Sequence, residues 1–510
     1  MTKKNASKAV GKQASGTAEG PAGGDILDLE QAIEFLKTTR PTFYRWLRTG
    51  RVKGMKVGRQ WRFHREDILR FMKGLDAPIE LEGDIRPVVE SLSAALAGVG
   101  IKEKIGPSEN PVAQAVDMLI RLAAASRASD IHLEPQTDPA GANVAVIRLR
   151  VDGVLHEVAR ADVRLLAPLA EQWKRLCAMD VREKNRPQDG RLVVEVPTPG
   201  GRKPLDLRVS VLPALLGEAV TARILSREDV KLTLDRIGYS PRDRETLERA
   251  LASAWGLVLV TGPIGSGKTT VLYSCLLRLT SPAVKVMTVE NPVEYLLPGM
   301  TQVHVNPAIG LTFPAAMRSI MRGDPDVIMV GEVRDLETAE ACCNAALTGH
   351  PVLSTAYAED AAGGLRRLVD VGLEPFVVAG AVRLVTAQRL VRLLCPDCSV
   401  EAEPPANLLA EAAQIARTGG LGWDDLPKTF RKAVGCPQCG RQGYRGRTIV
   451  SEMLEMSGEM AAALRRGASA DELRTLAVGQ GTTTLAADGI RRAAAGQTTL
   501  EEVLRVLSLR

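Results

Sequence analysis

The sequence predicts an α/β protein built around a mostly parallel sheet, and two observations carry this. From Gly256 to Val330, short apolar runs (Leu257–Val260, Val284–Val289, Val327–Val330) alternate with stretches of helical periodicity, the pattern of strand–helix–strand units. The first run leads into Gly262-Pro-Ile-Gly-Ser-Gly-Lys268-Thr269, which matches G-x-x-x-x-G-K-[ST] at every fixed position, and Lys268–Leu279 then continues as a helix. At 510 residues the chain exceeds what one core organises, so about three or four domains are expected.

In chain order, residues 1–24 are Lys, Ala, Ser and Gly with almost nothing apolar, and read as a disordered tail. Residues 25–75 read as a compact module holding 7 of the 18 aromatic residues. Its order is an amphipathic helix (Leu27–Leu36), a second helix (Thr42–Arg48) ended by Gly50, a hairpin over Lys53–Phe63 turning at Gly58, and a helix at Arg65–Met72. Residues 76–110 read as a linker with one short helix near Val88–Leu96. Residues 111–235 read as an α+β domain: an amphipathic helix from Pro111, then strands at Asp130–Leu133, Val144–Leu149 and Leu205–Val211. Residues 236–394 form the α/β core, 395–445 a cysteine-bearing element, and 446–510 an Ala-, Leu-, Glu- and Arg-rich helical region.

Charge and composition narrow the function classes. The net charge is +6, but residues 1–73 hold 16 Lys or Arg against 7 Asp or Glu, so the basic excess belongs to the amino-terminal part. Nucleic-acid binding is therefore a question for that module alone. No apolar run approaches the ~18 residues of a membrane-spanning helix, and the amino terminus lacks the apolar stretch of a signal peptide. A cytoplasmic protein is expected, with peripheral docking to a membrane complex left open.

The glycine loop carries the chemistry. Backbone N–H groups around Gly262, Gly265, Ser266, Gly267 and Thr270 close on phosphate oxygens, and the helix amino terminus adds partial positive charge. Lys268 neutralises the β- and γ-phosphates and Thr269 ligates Mg²⁺. Asp324-Pro-Asp326 and Gly331-Glu332 flank the strand Val327–Val330, placing acid at the carboxyl end of a neighbouring parallel strand, where Mg²⁺ and an attacking water belong.

These residues resemble the type II secretion and type IV pilus assembly motor ATPases. Thr288-Val-Glu290-Asn291-Pro292-Val293-Glu294-Tyr295 is similar to that family's acidic box, Arg322–Asp335 to its second Walker motif, and Thr348-Gly349-His350 to the start of its histidine box. Ser129-Asp130-Ile131-His132, Arg150-Val-Asp152-Gly153, Arg186–Arg191 and Asp206–Ser210 resemble its second amino-terminal domain. The resemblance covers roughly 110–510. It implies a RecA-like P-loop core, ATP with Mg²⁺ as ligands, and a homo-oligomeric ring, expected as a hexamer, working an inner-membrane platform. It further implies that Glu294 and Glu332 are catalytic, and that Arg208 and Arg223 reach the phosphates. Two positions depart from the pattern: Asn291 stands where the acidic box carries Asp, and Tyr357 where the histidine box carries its second His. Tyr357 cannot become an imidazolium near neutral pH, so slower hydrolysis stays open beside an active ATPase.

Cys395-Pro-Asp-Cys398 and Cys436-Pro-Gln-Cys439 are two C-x₂-C units 37 residues apart. Each bends around one metal, and four thiolates close a structural Zn²⁺ site with no open position. Cys177, Cys275, Cys342 and Cys343 lack such spacing and read as packing residues. The amino-terminal module resembles the excisionase-type winged helix-turn-helix at Arg40–Trp46 and Lys56–Arg62. That implies DNA contacts through Arg40, Thr42, Arg45 and Arg59, with Phe43 and Trp46 as core. Docking to a protein partner is the alternative for this module. For the whole chain, a DNA-binding regulator with an ATP sensor and a nucleotide-binding scaffold are the alternatives to a motor.

Overall fold

A computed structural model describes residues 25–74, 79, 81–101, 110–198, 201–225 and 233–507. The tail expected over 1–24 lies outside the described residues.

The amino-terminal module forms as its sequence suggests, with one added strand. Asp28 caps the helix Leu29–Phe35 and exchanges hydrogen bonds with Gln31, a reciprocal capping box. Ile26–Asp28 pairs with Gln60–His64, which pairs in turn with Met55–Val57, giving a three-stranded sheet. Phe43 and Phe63 are fully buried and meet edge to face at 5.0 Å, while Trp46 packs on Phe71 at 4.6 Å. Phe43 and Trp46 of the second helix are thus committed to the core, while Tyr44 between them is exposed.

A six-stranded antiparallel sheet follows, in the order Val154–Asp162, Asn143–Val151, Ala128–Thr137, Gly217–Leu225, Gly201–Ala214, Gln188–Thr198. Alternation turns Leu207, Val209 and Val211 inward against the helices Pro111–Ala125 and Leu166–Leu176. The span expected as a linker contributes to this core. Its helix, Arg86–Gly98, buries Val88, Leu92 and Leu96 at a spacing of four, so it packs against Pro111–Ala125 instead of standing apart. The tight turn at Asp152-Gly153 has φ of 47° and 87°, the paired left-handed geometry that suits a two-residue hairpin.

The helix-turn-helix module rests on this domain. The Val181 amide donates to the Arg48 carbonyl at 3.1 Å, and the Arg182 guanidinium lies over the Trp61 ring at 5.7 Å. Gly50 fits only without a side chain there, because φ is 71° and a Cβ would come 2.9 Å from Arg175 Nε.

The central sheet has seven strands in the order Met300–His304, Val286–Glu290, Val327–Val330, Pro351–Ala356, Gly256–Thr261, Val382–Leu394, Tyr444–Glu455. The first six run parallel and the last pairs antiparallel. The expected boundary at 445/446 therefore falls inside a core strand, and the carboxyl-terminal region supplies sheet as well as helix. The helix Lys268–Leu279 buries Val271, Leu272, Cys275 and Leu276 beneath the sheet, each large aliphatic side chain contributing about 1.5–3 kcal/mol relative to exposure. That anchor fixes the glycine loop at its amino end. Cys342 and Cys343 are likewise fully buried packing residues, whereas Cys177 is only half-buried.

Candidate active site and metal centre

Parallel strands present their carboxyl ends along one edge, and the glycine-loop residues, Glu294 and Glu332 lie along it. Gly256–Thr261 ends at Gly262, Val286–Glu290 at the acidic box, Val327–Val330 at Gly331-Glu332, and Pro351–Ala356 at Tyr357. The Glu332 strand is not the immediate neighbour of the loop strand. Pro351–Ala356, which arrives later in the sequence, lies between them.

The glycine loop is shaped for a phosphate. Gly265 and Gly267 have φ of 78° and 86°, and space beside Gly265 is open to 4 Å. A Cβ on Gly262 would lie 2.6 Å from the Gln388 carbonyl oxygen, so this glycine is required by close approach. Gln388, fully buried in the strand Val382–Leu394, donates from Nε2 to the Ser266 carbonyl at 2.8 Å and braces the loop from below. Ser266 Oγ is buried without a hydrogen-bond partner among the described residues. A buried hydroxyl with unused capacity, one residue before the glycine that caps the helix amino terminus, suits a phosphate oxygen.

Lys268 Nζ donates to the carbonyls of Gly262 and Pro263 at 2.8 and 2.9 Å, and sits 4.5 Å from the centroid of the Tyr357 ring. Burial pulls its pKa down to about 8, with Glu332 opposing the shift and Arg389 adding to it. Thr269 is exposed at the first turn of the helix and Thr270 is half-buried beside it.

The acidic residues divide into two roles. Glu290 is buried, and its carboxylate accepts from Thr288 Oγ1 at 2.6 Å, Gln302 Nε2 at 3.0 Å and the Tyr273 hydroxyl. Gln302 also bonds Leu297 N–H and the Tyr295 carbonyl, so Glu290 organises the loop that follows it. Glu294 lies half-buried on that loop, its amide donating to the Tyr273 hydroxyl at 3.3 Å. Glu332 is buried and pairs with Arg334 at 2.6 Å. Thr355 donates to the Gly331 carbonyl at 2.8 Å, and the Val333 amide donates to the Thr355 carbonyl at 2.8 Å, fixing the turn that aims Glu332.

A cavity of about 880 Å³ opens beside the loop, lined by Gly262–Ser266, Tyr357, Arg389 and Arg505, with the Asp152-Gly153 hairpin tip on its far wall. Arg208 and Arg223 do not line it. They stand in a row across the six-stranded sheet, where register pairs Arg191 with Arg208, Arg208 with Arg223, Arg223 with Asp130 and Asp130 with Arg150. Asp130 accepts from Arg223 Nε at 3.0 Å. Sequence reasoning missed Gln388, Arg389 and Arg334. A glutamine inside the otherwise apolar run Leu384–Leu394 was the available signal for the first.

The four paired cysteines converge. Their sulfurs lie within 4.8 Å of one another, with Cys395–Cys436 at 3.9 Å and both Cys398–Cys439 and Cys436–Cys439 at 3.8 Å. Four ligands on a tetrahedron with ~2.3 Å metal–sulfur bonds are about 3.8 Å apart, so the donor set fits a tetrahedral, sulfur-preferring ion. Amides of Gly435 and Gly443 donate to Cys398 and Cys439 sulfurs at 3.3 and 3.2 Å, which favours thiolates. Cys395 follows the strand Val382–Leu394 and Cys439 precedes Tyr444–Glu455. A metal held here would close the base of an insertion between two adjacent core strands.

Residues 107–505 match the family described as type II/IV secretion system protein. The chain belongs to that family. Among relatives, this type II/IV secretion family member is 42% identical over 396 residues to the type II secretion system protein HxcR of Pseudomonas aeruginosa, covering 78% of this chain and 77% of the relative. It is 38% identical over 442 residues to the type IV pilus assembly ATPase PilB of Myxococcus xanthus (86% and 75%). Similarity to the type II secretion system protein E of Pectobacterium carotovorum is 42% over 397 residues (78% and 76%). The fold is that of the Legionella pneumophila ATPase DotB, with a TM-score of 0.55 at 21% identity over 79% of this chain and 97% of DotB. The core is accordingly RecA-like. Residues 26–76 separately match a helix-turn-helix domain family, so the module at the amino end is a helix-turn-helix joined to a secretion-family chain. Of its four candidate DNA contacts, Arg40 is ion-paired with Glu30 and Thr42 accepts from Thr39, while Arg45 and Arg59 are exposed.

Proposed function

We propose that this chain is an ATP-hydrolysing motor that powers assembly of a type II secretion pseudopilus or a type IV pilus. The observation that carries the reading is the gathering of Lys268, Glu332 and the Glu294 loop at one sheet edge of a chain that belongs to this family. Gly262, Gly265, Ser266, Gly267 and Thr270 bind phosphate oxygens through the loop, and Lys268 supplies counter-charge. Thr269 and Glu332 hold Mg²⁺, which when bound neutralises charge on the β- and γ-phosphates. Glu294 orients the attacking water. Arg208 and Arg223 complete the phosphate site as the second domain closes over the nucleotide, where fixed cations stabilise charge on the transferring group. Cys395, Cys398, Cys436 and Cys439 hold one structural Zn²⁺.

The motor is a homo-oligomeric ring, a hexamer, acting at the cytoplasmic face of an inner-membrane platform. No helix among the described residues is long and apolar enough to cross a membrane, so the platform supplies the membrane part. In cells lacking this chain, wild-type protein should restore the surface fibre or secreted cargo, and Lys268→Ala should not. Equal restoration by both would refute a motor driven by this site.

The helix-turn-helix module anchors the motor to a protein partner. Arg182 covers its Trp61 and Glu30 occupies its Arg40, which leaves an incomplete grip for duplex DNA. Selection from random duplexes by the full chain at ~150 mM salt should return no enriched motif, since phosphate contacts alone weaken steeply with salt. An enriched motif that Arg45→Ala relaxes at one position, at a cost of ~1–3 kcal/mol, and that Arg59→Ala weakens without changing, would establish DNA reading instead.

A further inference from the structure

Tyr357 stands where strand order puts it between the phosphate loop and the Glu332 turn. Its strand, Pro351–Ala356, pairs with Gly256–Thr261 on one side, with Thr261 opposite Ala356, and with Val327–Val330 on the other. The residue after Ala356 therefore emerges level with Gly262 on one side and just past the Gly331-Glu332 turn on the other, where Val330 lies opposite Ser354. Its ring faces the Lys268 ammonium at 4.5 Å, within the range of a cation–π contact. Its phenol neighbours Arg334 closely enough to favour the charged guanidinium, and that guanidinium holds Glu332 at 2.6 Å. A histidine at this point offers a smaller ring and no phenol, so neither contact transfers unchanged to the usual residue.

We infer that Tyr357 is a positioning residue that ties the phosphate-binding lysine to the acidic turn: the ring seats Lys268, and the hydroxyl, through Arg334, sets Glu332. The two halves of the side chain act on different steps. The ring holds a flexible four-carbon amine at the mouth of the loop, so the ordering entropy of Lys268 is met before a phosphate arrives and nucleotide affinity rises. The hydroxyl acts on the acidic turn instead. It restrains the Arg334–Glu332 pair, whose carboxylate matters for turnover and not for capture of the phosphates. This rests on the ATP-site reading above.

The test separates binding from turnover in the full-length protein, using a fluorescent ATP analogue for affinity and phosphate release for rate. Tyr357→Phe keeps the ring and should bind within about twofold of wild type while turning over about tenfold more slowly. Tyr357→Leu removes both and should weaken affinity about fivefold as well, on the scale of one partly desolvated cation–π contact. Since Tyr357 is 44% exposed, neither change empties a core site. Arg334→Gln should reproduce the Tyr357→Phe phenotype, and the double variant should lose no more than either alone. The inference is overturned if Phe and Leu variants both behave as wild type, if Phe loses as much affinity as Leu, or if the Phe and Gln effects multiply. Wild-type protein that binds the analogue without releasing phosphate would remove the ATPase reading, yet the affinity comparison of Phe with Leu would still decide the role of the ring.

Discussion

Lys268→Ala is expected to lower nucleotide affinity by about 100-fold or more, while Glu332→Gln leaves affinity within a few-fold and reduces turnover by about 100-fold or more. The first figure follows from losing charge-assisted hydrogen bonds to phosphate oxygens, worth about 1.5–3 kcal/mol each, at a position where two loop carbonyls already aim the ammonium. The second follows from removing a buried carboxylate proposed to act with Mg²⁺ on the attacking water, where loss of a positioned acid–base group costs roughly 10²–10⁴-fold. Titration with a fluorescent nucleotide and steady-state phosphate release, run on the same preparations, give both numbers. Equal loss of affinity in the two variants would mean that Glu332 acts in binding and that the division of roles drawn here is wrong.

Metal removal is the other large effect. Elemental analysis should find about one Zn²⁺ per chain, and chelation or Cys436→Ser should unfold the element between the two C-x₂-C units. Structural zinc sites contribute on the order of 10 kcal/mol of folding free energy, so the loss should be cooperative and not graded. It should spread into the core, because Leu394 pairs with Tyr444 just inside the cysteines and frees both strand ends when the tie is cut. Differential scanning calorimetry with and without chelator checks this, and any fall in ATPase rate should track the fraction of unfolded chains. Metal-free protein with unchanged melting would contradict the assignment.

What could be read from the sequence was whatever local chemistry dictates. The loop from Gly262 to Thr269 announces itself because each fixed position answers a backbone or charge requirement, and its strand and helix follow from periodicity. The cysteine spacing is equally local. Sheet order is not: nothing in the run Pro351–Ala356 says that it inserts between the loop strand and the Glu332 strand, so the meeting of Tyr357 with Lys268 could not be foreseen. The strand Tyr444–Glu455 straddles the boundary that the sequence suggests at 445/446, because its partner lies across the cysteine insertion, a pairing too distant in sequence for any local signal. The helix Arg86–Gly98 is legible in the sequence near Val88–Leu96 but its burial is not, since a short amphipathic stretch between glycines and prolines gives no sign of what its apolar face meets. The arginine row through Arg208 and Arg223 was flagged by resemblance, but only strand register reveals that Asp130 interrupts it.

The central claim is that this chain turns over ATP at the Gly262–Thr269 loop. Phosphate release by purified wild-type protein, measured with and without Mg²⁺, tests it most directly. The account predicts Mg²⁺-dependent release that Lys268→Ala abolishes, despite Asn291 and Tyr357 at two positions where the family pattern carries Asp and His. Tight ATP binding with no Mg²⁺-dependent release would contradict it and make the chain a nucleotide-binding scaffold.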